Sequence, residues 1–410
     1  MGGLITLTLV LMRTTYAVVT WGNPAAGGDS LEVSQQLAEG IVAVHCTDVA
    51  FAARKEGGAV VTWGDPFGGG DSSVVWDQLN RGVLTVSCNM LACAALKENG
   101  AVVTWGSSVN GGDSSAVDQM LACGVAAIHN NAFAFAALKE EGAVVTWGDR
   151  RRGGDSKAVA RHLAGGIVSL HSNASAFAAL KGSGAVVTWG HADGGGDSSA
   201  VSEQLSSGVT AVRSNSGAFA ALKKSGAVVT WGSVDCGGDS EQVAEKLASG
   251  VVEIRCNATD GFVALKEDGT VITWGHAAFN SIPLVEMKRL GAAAISSRWN
   301  RHAVAFLKEG GSVVTCGDEL RGGDSSSVAF ELASGVVALY SNASAFAALK
   351  EQGAVLSWGH AANGGDSRVV ARQLSAGVVS VSRTRDAFAA LKDGGAVVTW
   401  GRASQGGDAG

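Results

Sequence analysis

Hydrophobic and polar positions along this chain recur with a period of 42 residues. One unit shows the pattern. Gly166-Ile167 leads into Val168–His171, then comes Ala176-Phe177-Ala178-Ala179-Leu180-Lys181, then Gly184 to Gly190. In the last run Ala185, Val187 and Trp189 alternate with Val186 and Thr188, the two-residue period of a strand. Lys181-Gly182-Ser183-Gly184 reads as a short hairpin turn, with counterparts such as Lys266-Glu267-Asp268-Gly269. A fourth segment, Ser199 to Leu205, has Val201 and Leu205 four apart, as do Val33/Leu37, Val159/Leu163 and Val243/Leu247. That spacing predicts one or two helical turns, with Asp197 or Ser198 as N-cap and Gly208 as the stop.

Trp-Gly marks the period at Trp21, Trp63, Trp105, Trp147, Trp189, Trp231, Trp274, Trp358 and Trp400, with Cys316 in the slot that breaks the series. Gly-Gly-Asp-Ser follows eight of the variable loops, carrying Asp29, Asp71, Asp113, Asp155, Asp197, Asp239, Asp324 and Asp366. The pattern predicts an all-β fold with short helical segments between strands: a β-propeller or propeller-like repeat ring, closed or open, of about nine units. The units run 22–63, 64–105, 106–147, 148–189, 190–231, 232–274, 275–316, 317–358 and 359–400, within a single repeat domain spanning 1–410. Both ends fall in the same strand of the unit, a phase that would let them share a blade. A lone unit cannot bury both faces, so neighbours must stack.

Composition narrows the class. Forty-six per cent of residues are hydrophobic and 17% charged, which excludes disorder. A net charge of −6 argues against a nucleic-acid binder as main function. The apolar run Leu4–Met12 is too short to span a bilayer. It reads as a degenerate repeat strand, with a secretory signal as the other reading. Seven cysteines lack regular spacing, so free thiols, a reducing compartment and a cytoplasmic or nuclear location are expected.

Val251-Val252-Glu253-Ile254, Val263-Ala264-Leu265 and Gly269-Thr270-Val271-Ile272-Thr273-Trp274-Gly275 together resemble the repeat of the regulator of chromosome condensation family. Ile282-Pro283-Leu284-Val285-Glu286-Met287 is similar to that family's Pro-x-x-Val strand. The resemblance covers essentially the whole chain and implies a propeller. The family's units are nearer fifty residues and its propellers seven-bladed, so the blade number does not carry over. The resemblance also implies protein partners. Its members include guanine-nucleotide exchange factors for small GTPases and propeller modules of HERC-type ubiquitin ligases. The evenly spaced units leave no room for an inserted exchange loop, and no ligase domain is present. The Gly-Trp-Arg-His-Thr context of the plant ultraviolet-B photoreceptor is also missing.

No catalytic, cofactor or metal set emerges from the residues. One Asp per unit is too sparse for calcium, and the eight histidines look scattered. Lysine holds one slot in all nine units, from Lys55 to Lys392, as an anion-binding circle or as protection of a strand edge. The units differ after Trp-Gly and again before the Phe strand, as in Asn89-Met90-Leu91. A constant scaffold with variable loops is how repeat proteins present a binding surface. The candidate partner-binding residues are therefore Asp65, Phe67, Arg150, Arg151, Arg152, His191, Asp193, Glu319, Arg321, Arg383 and Arg385. The expected molecule is a monomeric, non-catalytic protein-interaction scaffold without cofactors or a membrane partner. The alternative is a regulatory module of an exchange factor or of a ubiquitin ligase.

Overall fold

Alternating apolar residues bounded by Gly-containing turns favour short antiparallel strands, and strands are what the computed structural model contains. It describes residues 18, 20, 23–256, 261–275, 294–300 and 302–407. The Leu4–Met12 run, Trp21 and the Ile282–Met287 segment lie outside the described residues. Among the described residues there are nine three-stranded sheets, each a meander in chain order. In the first, β1 (Ile41–Cys46) pairs antiparallel with β2 (Ala50–Lys55), and β2 with β3 (Val60–Gly64). The second repeats this with β4 (Val83–Cys88), β5 (Ala92–Lys97) and β6 (Val102–Gly106). The predicted run Ala176–Lys181 is a strand with those bounds, flanked by Ile167–Ser172 and Val186–Gly190. No helix among the described residues is long and apolar enough to cross a membrane.

By packing, the chain divides into two compact units, one within residues 13–254 and one within 255–410. Inside each, successive sheets stack face to face. Ala134 and Ala136 of one sheet lie against Leu170, Phe177, Ala179 and Trp189 of the next, with Leu163 and Ile167 closing the cluster. The second unit repeats the arrangement: Ala345 and Ala347 meet Val381, Phe388, Ala390 and Trp400. Small side chains on one face receive bulky ones from the other, which is how close packing is reached without voids.

Among the described residues the Trp-Gly indoles are interior, whereas Trp76, on a helical turn, is 59% exposed. Phe177 stacks on Trp189 with centroids 5.3 Å apart, and Trp189 Nε1 donates to Gly153 O at 3.0 Å. Trp63, Trp105, Trp147, Trp231, Trp358 and Trp400 donate in the same way, 36 residues back. The acceptor is the first glycine of Gly-Gly-Asp-Ser in the loop that leaves the preceding sheet, so this motif ties each sheet to the one before it. Gly153 has φ +105° and lies so close to Phe177 that a Cβ would sit 2.5 Å from the ring. A Cβ on Gly154 would fall 2.3 Å from Gly148 O. Asp155 Oδ1 then accepts from Lys157 N at 3.1 Å, and Ser156 takes the hydroxyl of Thr146 at 2.9 Å. Of the two expected N-caps, Asp197 caps, accepting from Ser199 N at 2.9 Å, while Ser198 bonds Thr188. These N–H donors hold the carboxyls of Asp71, Asp113, Asp155, Asp197 and Asp324 below the usual carboxylate range.

The repeated lysine has a local task that the sequence did not disclose. Lys181 Nζ donates to His162 O at 2.7 Å, near the C-terminus of the helical turn Ala160–Leu163. Lys55, Lys139 and Lys392 donate to the equivalent carbonyls of Gln36, Met120 and Gln373. A cation there satisfies an orphan carbonyl and meets the negative end of the turn.

The expectation of free thiols fails at one pair: Cys88 and Cys93 form a disulfide. The hairpin register places them directly opposite each other on β4 and β5. Cys93 occupies the slot that Phe135 or Phe177 fills elsewhere, so Trp105 has sulfur beside it instead of a stacked ring. Cys46, Cys123, Cys236, Cys256 and Cys316 are thiols.

Candidate partner-binding face

The two variable segments of each unit form one surface. The loop after Trp-Gly is a single tight turn. Asp149 Oδ1 accepts from Arg151 N and Arg152 N at 2.8 and 3.2 Å, and Gly154 N closes back on Asp149 O at 2.8 Å. Asp65 does the same for Gly68 N at 2.7 Å. Both aspartates thus serve the loop's own backbone, and Pro66, Phe67, Arg150 and Arg151 beside them are exposed.

A residue class that the sequence reading treated as variable anchors six of the described loops. Asn173 Nδ2 reaches Gly194 O, while its Oδ1 accepts from Ser175 N and Ala176 N at 3.0 and 2.9 Å. Asn89, Asn131, Asn215, Asn300 and Asn342 repeat this latch to a carbonyl 21 residues on. Thr47 fills the slot in the first unit and bonds Gly68 O at 2.9 Å. Asn89 therefore belongs to the frame, and only Met90 and Leu91 belong to the variable patch. The signal was available as an Asn or Thr in the same slot of every comparable unit.

The residue after five of these latches joins neighbouring repeats through the backbone. Asp48 N donates to Met90 O, Met90 N to Ala132 O, Ala132 N to Ala174 O, and Ala174 N to Ser216 O, at 2.9 to 3.3 Å. In the second unit Ala343 N donates to Arg385 O at 3.0 Å. These bonds run at the repeat spacing and set adjacent variable patches side by side, as strands in a sheet are set.

On this frame the predicted residues divide into anchored and free ones. Phe67 is 85% exposed, and Arg151 and Glu319 are exposed as well. Arg150 reaches Asp155 at 3.2 Å, and His191 faces Asp193 at 3.9 Å, both on the surface. Arg152 turns inward instead, its guanidinium 3.7 Å over the Phe133 ring, a cation–π contact between loop and patch. Arg321 likewise contacts His302. Arg383 ends the strand Val378–Arg383, and Arg385 supplies a ladder carbonyl; both side chains are exposed. Asp386 beside them holds Asn363 at 3.0 Å and Arg402 at 3.7 Å. In the first unit the face therefore carries Phe67 and Val109, then Arg150 and Arg151, then His191 and Asp193. In the second it carries Glu319, Leu320, Arg383 and Arg385. A groove of about 1020 Å³ opens beside Phe67, lined also by Pro66, Val74, Asp71, Asp113 and Asp118.

The histidines are less scattered than the sequence suggested. His45, His129 and His171 share one slot in the first strands, opposite Ala52, Ala136 and Ala178, with Arg213 in that slot one repeat on. Ser169 Oγ lies 3.1 Å from His171 Nε2. Burial, then Arg213, then His129 push the His171 imidazole down to about 4. Burial also lowers His45 and His129. In the unfolded chain the group titrates near 6.5, so the unfolded state gains protons first as pH falls from 6.5 toward 4. His171 is thus expected to make the fold about 2–3 kcal/mol less stable at the acid end of that window. Urea unfolding at neutral and acid pH checks this, with His171→Gln losing less stability on acidification than the parent.

No family model matches the chain, and no curated protein matches it in sequence. The yeast RCC1 protein Prp20, solved bound to Kap60, is similar over 58% of this chain and 70% of its own, at 14% identity and a TM-score of 0.36. The ectodomain of the Physcomitrella patens receptor kinase CR4 is similar over 65% and 69%, at 16% identity and a TM-score of 0.36. The computationally designed Ika8 protein is similar over 78% and 96%, at 13% identity and a TM-score of 0.32. The chain resembles the regulator of chromosome condensation repeat and is an all-β repeat protein of three-stranded, propeller-like units.

Proposed function

We propose that this protein is a non-catalytic scaffold that binds protein partners through the face built from its post-Trp-Gly loops and the patches beside them. The observation that carries the reading is the split between the two kinds of residue. Trp, Gly-Gly-Asp-Ser, Lys and Asn are spent on holding the frame, while the residues they hold in place are exposed and differ from unit to unit. Rigid presentation of chemically varied side chains lowers the entropy cost of association. Exposed aromatic and arginine residues such as Phe67 and Arg151 are the types that dominate binding energy when a partner covers them.

The test couples the protein to a resin and compares captured proteins for the parent, the double variant Phe67→Ser/Arg151→Ser, and a control, Val168→Ser, which changes an exposed residue outside the loops. All three are expected to melt alike. Loss of captured partners from the double variant alone is the expected outcome. An unchanged set would overturn loop-directed recognition, and nucleotide release from a small GTPase in a parallel assay would overturn the scaffold reading.

A further inference from the structure

Asn-Gly occurs three times, at Asn99-Gly100, Asn110-Gly111 and Asn363-Gly364. Glycine leaves the following amide nitrogen unshielded, so these dipeptides can cyclise where the backbone can move and solvent can enter. The structure separates the three. Asn110 and Asn363 are each only 7% exposed. Ser107 Oγ donates to Asn110 Oδ1 at 3.2 Å, and Asn363 is held between Asp386 and Arg402. Asn99 instead stands exposed at the hairpin tip between β5 and β6. Ala101 N donates to its Oδ1 at 3.1 Å, which polarises the side-chain carbonyl, and its Nδ2 has no hydrogen bond among the described residues. Gly100 N is tied to Lys97 O at 2.9 Å, one bond in an exposed turn. Opening the tip breaks that bond and the one from Val125 N to Gly100 O at 3.0 Å, fewer than a core strand holds.

We propose that Asn99 is a site of spontaneous deamidation. A solvent base takes the Gly100 N–H proton, and the nitrogen lone pair forms a bond to Asn99 Cγ. The Cγ–Nδ2 bond breaks, and ammonia leaves with a proton from solvent. The cyclic imide that remains takes up one water at either carbonyl, giving Asp or isoAsp. The sum is asparagine plus water to acid plus ammonia, and no electrons change hands.

The two products differ in consequence. The sixth repeat already carries Asp268 in this slot, where Thr270 N donates to Asp268 Oδ1 at 2.8 Å. The aspartyl form therefore keeps the turn. The isoaspartyl form threads an extra carbon into the backbone, and there is no slack for it. Gly100 O accepts from Val125 N of the third repeat at 3.0 Å, and a Cβ on Gly100 would lie 2.7 Å from Gly124 N. IsoAsp at this position loosens the joint between the second and third repeats.

Peptide mapping by mass spectrometry after incubation at mildly alkaline pH tests the proposal, using the folded chain and the same chain in urea. In the folded chain Asn99 is expected to convert at least about tenfold faster than Asn110 or Asn363, because the buried pairs react only after local opening. In urea the three should convert at similar rates. Equal rates in the folded chain, or an intact Asn99 while the unfolded control reacts, would overturn the assignment. Asn99→Asp is expected to melt with the parent; a lowered Tm would overturn the claim that the aspartyl form fits the turn.

Discussion

Trp189→Ala is expected to lower the unfolding free energy by about 3–5 kcal/mol, the largest effect of any single change considered. Truncation removes a buried indole, the stack on Phe177, and the bond to Gly153 O. The hole opens at a joint between repeats, where the Gly153 backbone cannot close in because it already touches the Phe177 ring. Trp189→Phe separates the contributions. It keeps most of the apolar contact but leaves a buried carbonyl without its donor, and should cost about 1–3 kcal/mol. Chemical unfolding of the three proteins gives the comparison. A Trp189→Ala protein as stable as the parent would mean that the indole is not part of the joint.

Asn173→Ala should follow, at about 3 kcal/mol, since it strips the partners from one carbonyl and two backbone N–H groups in a largely buried turn. Its signature is local. The loop around His191 and Asp193 loses its tether at Gly194 O, so hydrogen exchange should quicken there ahead of the strands. Asn173→Thr copies what Thr47 does in the first unit, bonding a loop carbonyl and accepting an N–H. It is expected to recover roughly half of the loss. Uniform quickening across the repeat, with no excess at residues 191–194, would count against a latch.

The strands, turns and helical segments were legible because one period dominates the chain and each position within it has a single burial state. The interior placement of the indoles followed from the same pattern, as no lone unit could cover them. What stayed hidden depends on register across the hairpins. Cys88 and Cys93 look unrelated along the chain, and only the pairing that sets Ser172 opposite Phe177 elsewhere shows that their slots face each other. The first-strand histidines escaped notice because Ser87 and Arg213 interrupt the series. Asn89 was grouped with its changing neighbours, since a latch and a contact residue look alike until the partner 21 residues away is seen. The lysine slot was visible, but its carbonyl partner on a separate helical turn was not. Among the candidate residues, sequence could mark where the units vary; it could not tell that Arg152 folds back onto Phe133 while Arg151 does not.

The indole-to-glycine bond also decides where this array can be divided. A segment that starts just after one tryptophan and ends with the next, such as 148–189, carries both the Trp189 indole and the Gly153 carbonyl that it needs. A division between the glycine doublet and the strands that follow it leaves donor and acceptor in different pieces. Protein engineers who wish to shorten, lengthen or shuffle this array should therefore cut directly behind the tryptophan, and grafts cut between doublet and sheet will inherit half a joint.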